Sequence, residues 1–147
     1  MLLLMDANVL IDYAKTDRQV LALVVQVLGP VFVATPVLDE VRQLTADDAR
    51  ALGLTQVEPE TELLLAAAEV RGKLPFQDHV CLLLARERGW ACVTNDKPLQ
   101  AACVTEGVPW MWGLHLLLRL VRAGVMDTQQ AVERAEAIRP DFERRGT

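Results

Sequence analysis

The chain has 147 residues, a length that suits a single domain with one hydrophobic core. Hydrophobic residues make up 52% of it, which excludes intrinsic disorder of the main body. The formal net charge of −5 argues against binding nucleic acid through a basic surface alone, although an acidic site that holds metal ions can still accept a polyanion.

Predicted strands and helices alternate along the chain. Short apolar runs bounded by turn residues predict the strands, and longer segments between them predict the helices. The predicted strands are 2–5, 31–34, 55–57, 90–94 and 108–111, and the predicted helices are 8–13, 18–28, 37–44, 61–70, 78–88, 97–106, 114–123 and 128–138. This order predicts an α/β fold: a three-layer α/β/α sandwich around a mostly parallel central sheet.

The same pattern predicts one domain over residues 1–140, with a C-terminal helix over 125–140 and a flexible tail over 141–147. Residues 20–38 are uncharged and long enough to span a bilayer, but Gly29, Pro30 and Pro36 interrupt them. The N-terminal apolar run is too short for a signal peptide. We therefore expect a cytoplasmic protein that does not enter the membrane.

Three cysteines, Cys81, Cys92 and Cys103, lie among apolar neighbours and form no C-x-x-C pair. This setting predicts buried, reduced thiols. Neither of the two histidines, His79 and His115, has a cysteine at zinc-ligand spacing, which argues against a zinc site.

Four acidic residues stand where apolar segments meet polar sequence. Asp6 and Asp96 directly follow predicted strands, and Glu40 and Asp78 lie on helices whose N-terminal ends are expected to face the same rim of the sheet. In parallel sheets, ligands bind beyond the carboxyl ends of the strands. Carboxylates so close to a core are costly unless they are paired or bound to a cation. The four therefore predict a divalent metal site.

Helix capping is the simpler interpretation of each aspartate taken alone, since an N-cap contributes about 1 kcal/mol. Glu40, beside Asp39, is equally an ordinary solvated helix residue, and Asp12 is expected on the solvated face of the first helix. Ser, Thr and Asn cap as well as Asp does, however, so aspartate at three such boundaries favours metal chelation by oxygen ligands. Asn8 and Thr94 are the polar neighbours expected to support it.

The segments Met5-Asp6-Ala7-Asn8-Val9-Leu10-Ile11, Phe76-Gln77-Asp78 and Val93-Thr94-Asn95-Asp96-Lys97-Pro98-Leu99, with the mid-chain Glu40, resemble the PIN-domain family over about residues 1–125. That family comprises metal-dependent ribonucleases, among them the toxins of toxin–antitoxin pairs. The resemblance implies an endoribonuclease that hydrolyses RNA with a metal-activated water.

The family's catalytic and metal-binding carboxylates would map onto Asp6, Glu40, Asp78 and Asp96, with Asn8 and Thr94 as supports and Lys97 and Arg86 as candidate substrate contacts. The implied cofactor is Mg²⁺ or Mn²⁺, as one or two ions, and the implied partners are RNA, a cognate antitoxin and a second copy of the chain. There are two departures. Ala7 replaces the Ser or Thr of many members, and Lys97 stands where some members place further acids.

Three other protein classes place functional groups at some of the same positions. A haloacid-dehalogenase-type phosphatase requires Asp at position 8, which is Asn8, and the order of the acids does not match a receiver domain. A non-catalytic PIN-like module that binds RNA or protein is the alternative from another class, and the intact acidic set argues against it. Near the C-terminus two questions stay open: whether the leucine-rich helix 114–123 packs on the core or forms a dimer, and whether Trp110 and Trp112 stack on bases or pack.

Overall fold

The computed structural model describes residues 2–69 and 74–146, of which 139–146 are described by their backbone alone. Its strands form one five-stranded sheet in which every neighbouring pair is parallel. They are β1 Leu3–Met5, β2 Val31–Ala34, β3 Thr55–Val57, β4 Ala91–Val93 and β5 Trp110–Met111, in the order β3-β2-β1-β4-β5. This confirms the predicted three-layer α/β/α sandwich with a parallel central sheet.

Nine helices lie among the described residues; the first seven connect these strands, and the last two follow β5. They are α1 Ala7–Thr16, α2 Gln19–Leu28, α3 Thr35–Glu40, α4 Ala46–Ala51, α5 Thr61–Glu69, α6 Phe76–Arg88, α7 Lys97–Glu106, α8 His115–Arg122 and α9 Thr128–Gly146. No helix in the described parts of the chain is both long and apolar enough to cross a membrane.

The predicted helix 37–44 is wrong in its bounds, because the segment is split. Pro36 lies in the first turn of α3, which ends at Glu40, and α4 begins six residues later. A capping box starts α4: Asp48 N–H donates to the Thr45 hydroxyl at 3.0 Å, and Thr45 N–H donates to the Asp48 carboxylate at 3.0 Å. This Thr-x-x-Asp spacing is a recognised helix-start signal.

At the C-terminus, the backbone of α9 stays helical to Gly146, whereas the predicted helix ended near residue 140. Pro140, which removes one backbone donor, does not end it. Val70, the last residue of the predicted helix 61–70, and Thr147, the end of the predicted tail, lie outside the described residues.

The core lies on both faces of the sheet. Every residue of β1 and β4 is buried, as are all three cysteines, whose thiols are free, as predicted. Leu116, Leu117 and Leu120 of α8 are buried where this helix packs against α2 and α9, so this face of α8 belongs to the core.

The predicted solvated position of Asp12 is wrong: its side chain is only 2% exposed. The reason is that both α3 and α9 pack against α1, which narrows the solvated face of that helix. The sequence around Asp12 contains no signal for this, since α9 lies more than a hundred residues away along the chain.

The strand order places a topological switch point between β1 and β4. From β1 the chain continues to β2 on one side, and after β3 it crosses back to add β4 on the other side. Connections that leave in opposite directions open a crevice at the carboxyl ends of the two strands, which is the usual ligand site in such sheets.

Gly113, between β5 and α8, links residues on two sides of this crevice by hydrogen bonds. Its N–H donates to Asn95 Oδ1 at 2.8 Å, and its carbonyl accepts from the Tyr13 hydroxyl at 2.6 Å. A Cβ at this position would lie 2.8 Å from Val9 Cγ2 and 3.0 Å from Asn95 Nδ2, and the Val9 side chain is fully buried.

We expect Gly113→Ala to lower the free energy of unfolding by about 1–3 kcal/mol, because the core must shift to admit one methyl group. Urea unfolding followed by circular dichroism measures this change. An unchanged midpoint would show that Val9 and Asn95 move aside without cost.

Candidate metal centre

Asp6 lies directly after β1 and caps α1. Its Oδ1 accepts the Val9 N–H at 2.9 Å, and its own N–H donates to the Val93 carbonyl of the neighbouring strand at 3.1 Å. The side chain is only 2% exposed. A capping hydrogen bond therefore fixes this carboxylate at the floor of the crevice.

Thr94 lies directly after β4 and bridges the two strand ends. Its hydroxyl donates to Asp6 Oδ2 and accepts the Asp96 N–H at 3.0 Å. Gln100, one turn into α7, donates from Nε2 to the Thr94 carbonyl at 3.0 Å. Because Thr94 is completely buried, these bonds hold its hydroxyl in one orientation.

Asp96 is the N-cap of α7, and its Oδ2 accepts the Leu99 N–H at 3.1 Å. The half-buried side chain lies at the mouth of the crevice, above Thr94. Asn95, between them, is buried and bonds Gly113. Asp6 and Asp96 thus both cap helices, as the simpler interpretation predicted, and both also face the switch point.

Asp78 and Glu40 approach from the helices beside the sheet. Asp78 lies in the first turn of α6 and is half-buried, near a helix start as predicted, but it does not cap the helix, because the N-cap is Pro75. Glu40 is the exposed last residue of α3, not a residue near its N-terminal end. It nevertheless faces the same region, because α3 packs against α6.

The electrostatics of Asp6 show how close the other acids are. Burial raises its pKa to about 7, against the opposing hydrogen bonds from Thr94 and Val9, and the charges of Asp78 and Asp96 raise it further. A carboxyl group with such a pKa is half protonated near neutral pH when no cation is present.

The pKa of Asp78 is raised by the same two causes. Burial raises its pKa to about 6, and the charges of Asp96 and Glu40 add to the effect. Burial also raises the pKa of Glu40. Each of the four acids is therefore coupled to at least one of the others, which places all four in one electrostatic cluster.

This cluster is not a preformed set of ligands. Within residues 2–69 and 74–146, no three acidic, histidine or cysteine side chains are arranged to coordinate an ion as they stand. Two of the acids accept hydrogen bonds from N–H groups of their own helices as N-caps, Asp6 from Val9 and Asp96 from Leu99. Each carboxylate has about four acceptor positions, so these bonds leave oxygen lone pairs for a cation.

The chemistry of the donors fits a hard divalent cation. All four are carboxylates, which suit Mg²⁺ or Mn²⁺ better than softer metals. The raised pKa values reflect desolvated negative charge that a bound cation would compensate. The side chains must rearrange before three of them could coordinate one ion.

The remaining predicted site residues lie around this cluster. Asn8 is half-buried in the first turn of α1, and Lys97 is exposed at the start of α7. Arg86 lies roughly 12 Å further along α6 than Asp78 and forms an ion pair with Glu106, so the structure does not bring it to the carboxylates. Trp110 and Trp112 pack edge to face, with ring centroids 5.5 Å apart.

Asn95 and Gln100 are supporting residues that the sequence interpretation missed. Both are buried, and each hydrogen-bonds a backbone group that shapes the crevice. Their signal in the sequence was weak: Asn95 stands between Thr94 and Asp96, and Gln100 is a polar residue on a helix whose neighbour Leu99 is buried.

We expect Asp6→Asn to raise the stability of the metal-free protein at pH 8 by on the order of 2 kcal/mol and to leave it nearly unchanged at pH 4. The folded-state pKa of Asp6 lies above the unfolded value, so its contribution to stability is fully present below about pH 4 and is lost as the pH rises through 7. Asparagine can still cap α1 but cannot ionise.

Chemical unfolding in EDTA at several pH values measures this difference. Asp39→Asn, which removes an exposed charge, is the matched control, and we expect it to change stability by no more than about 0.5 kcal/mol. A pH-independent loss of stability in Asp6→Asn would contradict the assignment of Asp6 as a destabilising buried carboxylate.

Comparison with known proteins adds no further identification. No protein-family model matches this sequence, and no curated protein matches it significantly. The resemblance to the PIN-domain family accordingly rests on the motifs named above.

Proposed function

We propose that the protein is a divalent-metal-dependent endoribonuclease that hydrolyses RNA phosphodiester bonds. The observation that carries the proposal is the coupling of Asp6, Glu40, Asp78 and Asp96 at the carboxyl ends of β1 and β4. Asp6 and Asp78 have strongly raised pKa values, and perturbed carboxylates that share a crevice are a feature of functional sites.

Asp6 and Asp96 would hold the ion from the sheet side, where helix caps and Thr94 fix their positions. Asp78 and Glu40 would complete the set from α6 and α3. When bound, Mg²⁺ or Mn²⁺ supplies an activated water and a counter-charge for the phosphate. Thr94 is a positioning residue: it orients the Asp6 carboxylate and the backbone at Asp96 through one hydroxyl.

Asp6, Asp78 and Glu40 differ in burial, hydrogen bonding and pKa, so each suits a different role. Asp6 is buried and doubly hydrogen-bonded, so it serves as a fixed ligand. Asp78, with a pKa near 6 in the metal-free protein, is suited to accept a proton at neutral pH. Glu40 is the most exposed of the four and has the most freedom to follow a substrate.

The geometry supports phosphodiester chemistry, whereas RNA as the substrate rests on the family resemblance. The same resemblance extends the proposal to the toxin of a toxin–antitoxin pair that acts as a homodimer. The fold and the chemistry of the site bear on the reaction that the protein catalyses and not on its physiological role.

The nuclease is tested with a labelled pool of single-stranded RNA in Mn²⁺, Mg²⁺ or EDTA. We expect cleavage in either metal and none in EDTA. Asp6→Asn, Asp78→Asn and Asp96→Asn are each expected to cut roughly a hundredfold more slowly or worse, since even residues that only orient metal ligands cost 10- to 100-fold when changed.

Asp39→Asn is the control here as well, because it removes a carboxylate next to Glu40 and is expected to keep full activity. Cleavage that survives all three substitutions would come from a contaminant or from another site. A folded protein that binds RNA but does not cut it in any metal would favour the non-catalytic binding module.

Metal binding is tested separately from cleavage by thermal unfolding. At pH 8, Mn²⁺ at a hundred times its dissociation constant should stabilise the wild type by about 2.7 kcal/mol, or roughly 5–10 °C in Tm. We expect the dissociation constant to rise at least tenfold between pH 8 and 5.5, since protons compete for Asp6 and Asp78 as the pH falls through 7 and 6. A metal response in Asp6→Asn equal to that of the wild type would exclude Asp6 as a ligand.

A further inference from the structure

A cavity of about 890 Å³ lies between α5, α6 and α7, on the flank of the candidate metal centre. Its walls are mainly aliphatic, from Leu82 and Leu83 on α6 and Pro98 and Ala101 on α7. Small-molecule sites of this size are typically apolar, with a few polar groups that fix orientation.

One end of the cavity, called the near end, is lined by residues that are sequence neighbours of two of the carboxylates. His79 follows Asp78, Lys97 follows Asp96, and both His79 and Lys97 line the cavity. Consecutive Cα atoms are about 3.8 Å apart, so the backbone at this end of the cavity is also the backbone that carries Asp78 and Asp96.

Two polar side chains at the near end are available to a ligand. His79 is only 9% exposed, and its ring forms no hydrogen bond with any residue in the described part of the chain. One imidazole nitrogen can donate and the other accept. Lys97 is exposed, and no described residue forms an ion pair with it.

Among the described residues, the far end of the cavity offers no free positive charge, and it lies beside acidic residues. There Arg86 is neutralised by Glu106, and an adjoining depression of about 390 Å³ is lined by Glu60, Glu62 and Glu87. A polyanion would be repelled along this direction. The favourable region for a nucleic acid is therefore limited to the near end.

We propose that this cavity takes the base of one unpaired nucleotide next to the cleaved phosphate, an inference that rests on the proposed nuclease function. Lys97 binds the phosphate of that nucleotide, His79 hydrogen-bonds the edge of its base, and the aliphatic walls cover the ring faces. A base held in a paired helix cannot enter, so the site selects single-stranded RNA and loops.

The test uses the four ribonucleoside 5′-monophosphates in EDTA, with binding followed by NMR chemical shifts. We expect millimolar binding, with shifts at His79, Leu83 and Ala101. Ala101→Trp fills the cavity from an exposed helix position and should weaken binding at least tenfold. Val104→Trp, on the same helix but 68% exposed and outside the cavity, is the matched control and should bind as the wild type does.

His79→Gln and Lys97→Ala serve as second variants should Ala101→Trp not fold, and each is expected to weaken binding severalfold. Absence of nucleotide binding, or binding that none of these changes affects, would overturn the proposal. A dimer seen in sedimentation velocity would also overturn the proposal if Ala101→Trp dissociates it and Val104→Trp does not. The cavity would then be the contact surface for a second copy of the chain.

The two proposals fail separately. Metal-dependent RNA cleavage without nucleotide binding in the cavity would refute only the base site. Nucleotide binding that Ala101→Trp weakens, in a protein that cuts no RNA, would refute the nuclease and retain the site.

Discussion

The hydrogen bond from the Thr94 hydroxyl to Asp6 Oδ2 joins the carboxyl ends of β1 and β4, and the geometry of the crevice depends on it. It is made between completely buried or nearly buried groups, where a hydrogen bond to a charged acceptor is strong. The same hydroxyl accepts the N–H of Asp96, so one side chain positions the first turn of α7 relative to the start of α1. It adds to the β1–β4 pairing and to the bond from the Asp6 N–H to the Val93 carbonyl, which already hold the two strand ends together.

The rest of the fold stabilises an arrangement that is locally unfavourable. Asp6 and Asp78, whose pKa values are raised by burial and by neighbouring acids, oppose folding at neutral pH. The compensation comes from the buried strands on either side and from Gly113, which ties Tyr13 and Asn95 together across the crevice. Such a conflict between local cost and global stability is typical of functional sites.

The sequence was most informative where physical signals are local. Apolar runs predicted β2 and β3 with the bounds that the structure has, and alternation of strands with helices predicted a parallel sheet. The break between α3 and α4 also had a local signal, the capping box at Thr45 and Asp48, which went unused. Periodicity identifies strands but not their neighbours, so it did not predict the position of β1 between β2 and β4.

Features that depend on distant partners could not be predicted. The burial of Asp12 follows from α9 packing over α1, and the role of Asn95 follows from the approach of Gly113. The positions of some of the four acids could be predicted and that of Glu40 could not. The positions of Asp6 and Asp96 beside the switch point followed from the rule for strand ends, whereas the place of Glu40 at the end of a short helix depended on the unpredicted break after α3.

Asp6 and Thr94 are separated by 88 positions, and this distance has a consequence for how the protein folds. In the unfolded chain the acids are spread out and repel each other little. The repulsion between Asp6 and Asp96 develops when β4 docks beside β1, a step that also closes a long loop and is slow for entropic reasons. The carboxylate cluster therefore adds to the barrier of this docking step, and a cation that binds the cluster as it forms would act on the rate of folding as well as on its equilibrium.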